Sequence, residues 1–288
     1  MSPGPRVVAL GGGHGTAVTL RAARSFAGEL TGIVSTADDG GSSGRLRDVL
    51  GVPALGDLRK CLGALADEES TLAKVLEIRY HAGPLAGHAM GNLWLAGLLE
   101  SEGSLEGAVA EACRLLEAHG SVIPATSVVT ELRADSLAGQ LVGQASIGQR
   151  GMLDRVSLLP TDAVAPDAAL TALARADLVA IGPGSLYTSV LAACVAQGIP
   201  SALAATQATV VYVANLEPQI PETEGYSVAD HVDALMRHGI RVDWVLYDPD
   251  AGLEAGALST PSTSAPLRAR NEKVHDVERL AEALRGLA

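Results

Sequence analysis

The sequence predicts an α/β protein: a Rossmann-like three-layer α/β/α sandwich with a mainly parallel sheet and an inserted β-hairpin. Three observations carry this. Short apolar runs alternate with helical patterns at both ends of the chain, a glycine-rich turn follows the first run, and a block of period-two alternation interrupts the rhythm in the middle. Strands of almost continuous Val, Ile, Leu and Ala are buried on both faces, as parallel strands between helical layers are.

Taken in order, RVVAL (6–10) and TGIVST (31–36) read as buried strands with a helix over about 16–27 between them, one βαβ unit. Residues 56–67 and 70–79 read as helical, GNLWLAGLLES (91–101) opens a helix, and EGAVAEACRLLEAHG (106–120) is amphipathic and stops at Gly120. Residues 127–149 alternate with period two and predict a hairpin turning near Asp135–Ser136. After Pro166 come a strand at 177–182, a helix at 185–198, a strand at 208–216, a helix at 228–239 and a strand at 242–248. Residues 249–267 predict a surface loop and 274–287 a last helix. There is no internal repeat and no convincing linker, so 1–288 is read as one domain.

Composition narrows the function. The chain has 288 residues, 48% hydrophobic, and a net charge of −12. So acidic a surface argues against nucleic-acid or anionic-membrane binding, and 3% aromatic residues leave little base-stacking surface. Cys61, Cys113 and Cys194 are odd in number and widely spaced, the opening MSPGPR has no apolar signal core, and no apolar run approaches the roughly 18 residues of a membrane span. The expectation is a cytoplasmic protein.

Four glycines fall within five positions: Gly11, Gly12, Gly13 and Gly15, with His14 among them and Thr16 following. A strand turning sharply into a helix presents free N–H groups and a helix dipole to an anion, and glycine lets phosphate come close. The spacing is neither a strict dinucleotide fingerprint nor a P-loop, and a tight turn without a ligand is the competing reading. The second strand ends in TADDGGSSGRLRD. Asp38 and Asp39 emerge at the same sheet edge, where a carboxylate can bind ribose hydroxyls or hold Mg²⁺. Ser42, Ser43 and Arg45 follow as donors for a diphosphate; a solvated turn is the alternative. A third turn, Gly182–Pro183–Gly184–Ser185, repeats the logic, with Ser185 as a natural N-cap. His88 and Asn92 stand four apart at a helix start, and Asn215, Thr223, Tyr226, Asp230 and His231 lie in or beyond a long polar loop. For His231 a surface histidine behind a capped helix is the preferred reading. No Cys/His spacing signals zinc and no G-x-S-x-G elbow is present.

The stretches GGGHGTAVTLRA, ADDGGSSGRLRD, GDLRKCL, GHAMGN, DLVAIGPGSLYTSVL and ETEGYSVADHV together resemble the YvcK, or gluconeogenesis factor, family of the CofD-like superfamily, collinearly from residue 6 to about 286. The resemblance implies binding of a nucleotide sugar such as UDP-N-acetylglucosamine, with a dinucleotide (NAD) able to occupy the same crevice. It also implies links to cell shape, peptidoglycan synthesis and gluconeogenic growth, cell-wall synthesis proteins as partners, and a homo-oligomer. No reaction is assigned to this branch, whereas the superfamily's namesake, 2-phospho-L-lactate transferase, uses Mg²⁺ to join a phospholactyl group to a deazaflavin precursor. Carried over, residues 11–16 face the diphosphate, Asp38 and Asp39 the metal or ribose, and Asn215 with 222–231 the crevice. The chain departs from the family pattern at His14 (usually threonine), Lys60 (asparagine), Glu217–Pro218 and Val274 (arginine); Arg268 or Arg270 is a candidate replacement for that arginine. A Mg²⁺-dependent transferase and, behind it, an NAD-dependent oxidoreductase are the alternatives to a sensor.

Overall fold

A computed structural model of the chain describes residues 4–137, 139–270 and 273–288. The first three residues of the opening stretch lie outside it. Seven strands form one wholly parallel sheet: β1 (Arg6–Gly11), β2 (Glu29–Val34), β3 (Ser121–Pro124), then β7 (Leu178–Ile181), β8 (Thr209–Val213), β9 (Trp244–Tyr247) and β10 (Ser262–Ser264). The remaining strands, β4 (Glu131–Ser136), β5 (Gly139–Val142) and β6 (Leu153–Leu159), make a separate antiparallel sheet.

Strand β1 shows why the sheet is covered on both sides. Val7 and Ala9 enter one core, and Val8 and Leu10 the other. Helices α1 (Gly13–Ala23), α2 (Gly41–Leu50), α3 (Gly56–Leu65), α4 (Thr71–Leu76), α5 (Met90–Glu102) and α6 (Leu105–Leu115) follow β1 and β2. Of these, α1, α3, α4, α5 and α6 bury apolar residues in the first core, together with the C-terminal helix Val277–Arg285. The second core lies under the small sheet, the helices Asp167–Arg175 and Ile199–Ala205, and the segment 186–196.

The sheet order is β10-β9-β8-β7-β1-β2-β3. The chain runs outward in one direction from β1 through β2 and in the other from β7 through β8. Loops after β1 and β7 therefore part company at the carboxyl edge, the place where open α/β sheets form a ligand crevice.

Four expectations are corrected. The hairpin turns after Ser136 and is joined by a third strand, β6, which pairs with β4. The Gly-Ser stretch after Asp39 is not a solvated turn, because α2 begins at Gly41 and Ser42, Ser43 and Gly44 are buried. The stretch 185–198 is not one α-helix: a π-helical turn, Leu186–Leu191, is followed by a short helix and then by Ile199–Ala205. The carbonyl of Ser185 accepts both Ser189 N–H (3.0 Å) and Val190 N–H (2.9 Å), which widens that turn. Finally, the 249–267 loop contains the edge strand β10. Among the described residues no helix is long and apolar enough to cross a membrane.

Candidate functional site

The glycine loop and the β7 turn are fitted to each other. Gly13 has φ +67°, a left-handed conformation that turns β1 into α1. A Cβ on Gly15 would collide with the carbonyl of Pro183, so no larger residue fits there without moving the β7 turn. Thr19 Oγ1 donates to the Gly182 carbonyl (2.8 Å), and Gly182 N–H donates to Leu10 (2.9 Å). Thr16 is fully buried and its hydroxyl is turned back toward the Gly12 carbonyl at 3.4 Å. In this position it braces the turn from within.

Beside these turns lies a cavity of about 280 Å³. Its walls are the first turn of α1 (His14, Gly15), Pro183–Gly184, the loop 215–219 and residues 273–275. The amino end of α1 thus opens on the cavity and favours an anion there. Asn215 clamps Gly184 from both sides: its Oδ1 accepts Gly184 N–H and its Nδ2 donates to Gly184 O, each at 2.8 Å. Glu217 is paired to Arg268, Oε1 to Nη2 at 2.6 Å. His275 lies 3.1 Å from the Ala214 carbonyl through Nε2. Burial pushes its imidazole down to about 4, so it is neutral near pH 7 and must carry the Nε2 proton it donates. His14 is also held below the ordinary histidine range, first by burial and then by the charge of Lys60.

Asp38 and Asp39 do not converge. Successive residues of an extended chain point opposite ways. Asp38 accepts Gly40 N–H at 2.9 Å, whereas Asp39 crosses to Ala145 N–H at 2.8 Å and secures the start of the helix Gln144–Gly148. The carboxylate that does approach the glycine loop is Asp57, in the first turn of α3. A Cβ on Gly12 would lie 2.7 Å from its Oδ2. Burial, and then the charge of Asp57, raise the Asp38 carboxyl above its usual range. Lys60 Nζ is bonded to Asp57 Oδ1 at 2.9 Å. Among the described residues no three His, Cys, Asp or Glu side chains converge as metal ligands. With an ammonium already seated on one of the two carboxylates, this donor set does not fit a divalent cation.

The other polar motifs are largely spent on one another. Asn92 Nδ2 donates to Ser42 Oγ (3.0 Å), so the Ser42 hydroxyl proton is free for His88 Nδ1 (3.1 Å). Behind them the buried Arg59 donates to Asn92 Oδ1 (3.2 Å) and pairs with Glu77 (2.5 Å). Ser43 Oγ accepts Gly56 N–H (3.1 Å), and Arg45 reaches the Ala86 carbonyl (3.1 Å).

The 222–231 segment also supports the scaffold. Glu222 is buried and accepts Tyr187 N–H (2.8 Å) and Thr188 Oγ1–H (2.7 Å). It caps the π-turn, and Ser185, the expected N-cap, makes no side-chain cap bond. Thr223 Oγ1 accepts Gln219 N–H (2.9 Å), and Tyr226 meets Tyr187 hydroxyl to hydroxyl at 3.1 Å. His231 is not a surface residue. It is fully buried, its Nδ1 lies 2.7 Å from the Tyr212 hydroxyl, and burial pushes it down to about 4.

Sequence reasoning thus brought His14, Gly15, Gly184 and Asn215 to one cavity, carried Glu222 only as part of the segment 222–231, and missed Asp57 and Arg59. For Asp57 the signal was present: an acidic residue just after the first residue of a helix. For buried Arg59 there was none.

A profile of the family described as 2-phospho-L-lactate transferase CofD matches residues 7–282. The chain belongs to the CofD family. This CofD-family chain is 41% identical over 235 residues to the gluconeogenesis factor of Halalkalibacterium halodurans, an alignment covering 81% of this chain and 73% of that protein. It is 43% identical to a provisionally named gluconeogenesis factor of Nostoc sp., again over 81% of this chain, but spans only 52% of that longer relative. A crystal structure of a UPF0052-family protein from Bacillus halodurans superposes with a TM-score of 0.92 at 35% identity, covering 96% of this chain and 97% of that one. The chain thus falls in the gluconeogenesis-factor branch of the family.

Proposed function

We propose that this CofD-family chain is a nucleotide-sugar-binding regulatory protein of the cytoplasm, linked to cell-wall precursor supply, cell shape and gluconeogenic growth. The observation that carries the reading is the cavity at the switch point, bounded by two glycine turns and the amino end of α1. Its size suits a nucleoside, with the diphosphate over the first turn of α1. His14, Lys273 and Arg268 supply positive or titratable groups locally on a chain of net charge −12. Cell-wall synthesis proteins and a second copy of the chain are the proposed partners.

The test is calorimetric titration with UDP-N-acetylglucosamine, with and without Mg²⁺, alongside NAD⁺, each sample then being assayed for product. Saturable binding of the sugar nucleotide with the ligand recovered intact supports the sensor. Conversion of the ligand would instead favour the transferase chemistry for which the family is named, and binding of NAD⁺ alone a dinucleotide role.

A further inference from the structure

Beside the glycine loop, the chain carries a positive charge of its own where a phosphate ligand ordinarily draws one from a metal ion. Helix α3 presents Asp57 in its first turn and Lys60 one turn further on, with Nζ 2.9 Å from Asp57 Oδ1. The Asp57 side chain is 7% exposed and that of Lys60 20%, so the carboxylate is the more deeply buried partner of the pair. The same carboxylate abuts the loop, its Oδ1 3.4 Å from where a Cβ of Gly13 would lie. Asp38 comes in from the end of β2, its Oδ2 3.4 Å from the Cβ position of Gly56, the residue next to Asp57. The ammonium is therefore bonded to the carboxylate that abuts the glycine turn, with Asp38 approaching the residue before that carboxylate. Its charge is felt on both sides, opposing the rise of Asp38 and adding to the depression of His14. A divalent ion bridging Asp38 and Asp57 would have to sit against that ammonium, and like charges at such range repel strongly.

We propose that Lys60 stands in for a divalent cation: the chain binds the diphosphate of its ligand without metal, with the Lys60 ammonium as the neutralising charge and Asp57 as the group that positions it. This rests on the nucleotide reading above. A lysine is suited to the task because its ammonium is a compact charge with three donors on a flexible stem.

The experiment has two arms. Manganese(II) alone is titrated into the wild type, Lys60→Asn and Asp38→Asn, and the free ion is counted by electron paramagnetic resonance. UDP-N-acetylglucosamine is titrated into the wild type and Lys60→Asn in EDTA and in Mg²⁺. The wild type is expected to bind no manganese and to hold the nucleotide equally well in both buffers. Lys60→Asn is expected to gain a manganese site, to lose about 10- to 100-fold in nucleotide affinity in EDTA, and to recover affinity with Mg²⁺. A wild-type manganese site that disappears in Asp38→Asn overturns the proposal, as does wild-type nucleotide binding that collapses in EDTA. So does a Lys60→Asn protein with unchanged affinity and no metal. If no nucleotide binds under any condition, the nucleotide reading fails, and the manganese arm still decides the role of Lys60. If Lys60→Asn does not fold, the wild-type titrations decide alone.

Discussion

On the β1–β2 side of the crevice, one run of five polar side chains is bonded to itself. On the β7–β8 side, Asn215 and His275 bond to backbone at the edge of the cavity. The first side holds His88, Ser42, Asn92, Arg59 and Glu77 in a single run of contacts. The second holds Asn215 on Gly184, His275 on Ala214 and Glu222 on Tyr187. A network closed on itself is rigid and has few free groups for a ligand. Groups spent on backbone shape a pocket and leave the loops' outer faces available. The difference teaches that polar richness in a sequence motif measures how much must be held in place as much as how much is bound.

Acid is the strongest means of separating the two sides. His231 and His275 both belong to the β8 side, and both are held at about 4 against an ordinary 6.5. Between those values the unfolded chain takes up protons that the fold refuses, so their contribution is intact above pH 6.5 and is lost as the pH falls toward 4. Their joint share is roughly 7 kcal/mol once the pH has reached 4. Asp38 and Glu222, raised by burial, pull the opposite way above the ordinary carboxylate range, so variants are needed to isolate the histidines. Urea midpoints between pH 7 and 4.5 should fall steeply, and His275→Gln should flatten the profile. A slope unchanged in His275→Gln and in His231→Gln would refute this account.

The next largest effect is on the closed network. Arg59→Met removes the partner of Asn92, Leu76 and Glu77 at once and is expected to cost roughly 3 kcal/mol in urea unfolding, with a smaller loss of nucleotide affinity. Equal losses in both would mean that the network touches ligand after all. The smallest effect is on the open side. Asn215→Ala frees both polar groups of Gly184; stability should drop by about 1 kcal/mol and affinity by about tenfold. Hydrogen exchange at the Gly184 amide reports whether the turn has loosened. Faster exchange with undiminished affinity would detach Asn215 from the binding site.

The same contrast explains what the sequence made legible. Strands such as β1 and β7 stand out because both their faces are buried and every position after Arg6 is apolar or glycine. Strand β6, LDRVSLL, escaped notice because Asp154 and Arg155 face outward while Leu153, Val156 and Leu158 reach the core. Strand β3 is four residues long and ends in proline. The glycine turns declared the crevice, since backbone geometry leaves a signature in residue type. Which polar groups face it depends on who else is in reach, and Asp39 and His231 were taken by partners far along the chain. The role of Glu222 was hidden for the same reason: its work is at Tyr187, 35 residues away.

The contact between Gly15 and the Pro183 carbonyl bears on how this family is read across genomes. That glycine answers to a neighbouring loop before it answers to any ligand. A descendant that bound no ligand at all would still be selected to keep it, because a side chain there would push the two turns apart. A search built on the glycine signature therefore collects chains that share the architecture of the crevice, whether or not they still use it. Evolutionary loss of binding should be sought instead at His14, Lys60, Glu217 and Lys273, where drift can change the ligand while the fold survives.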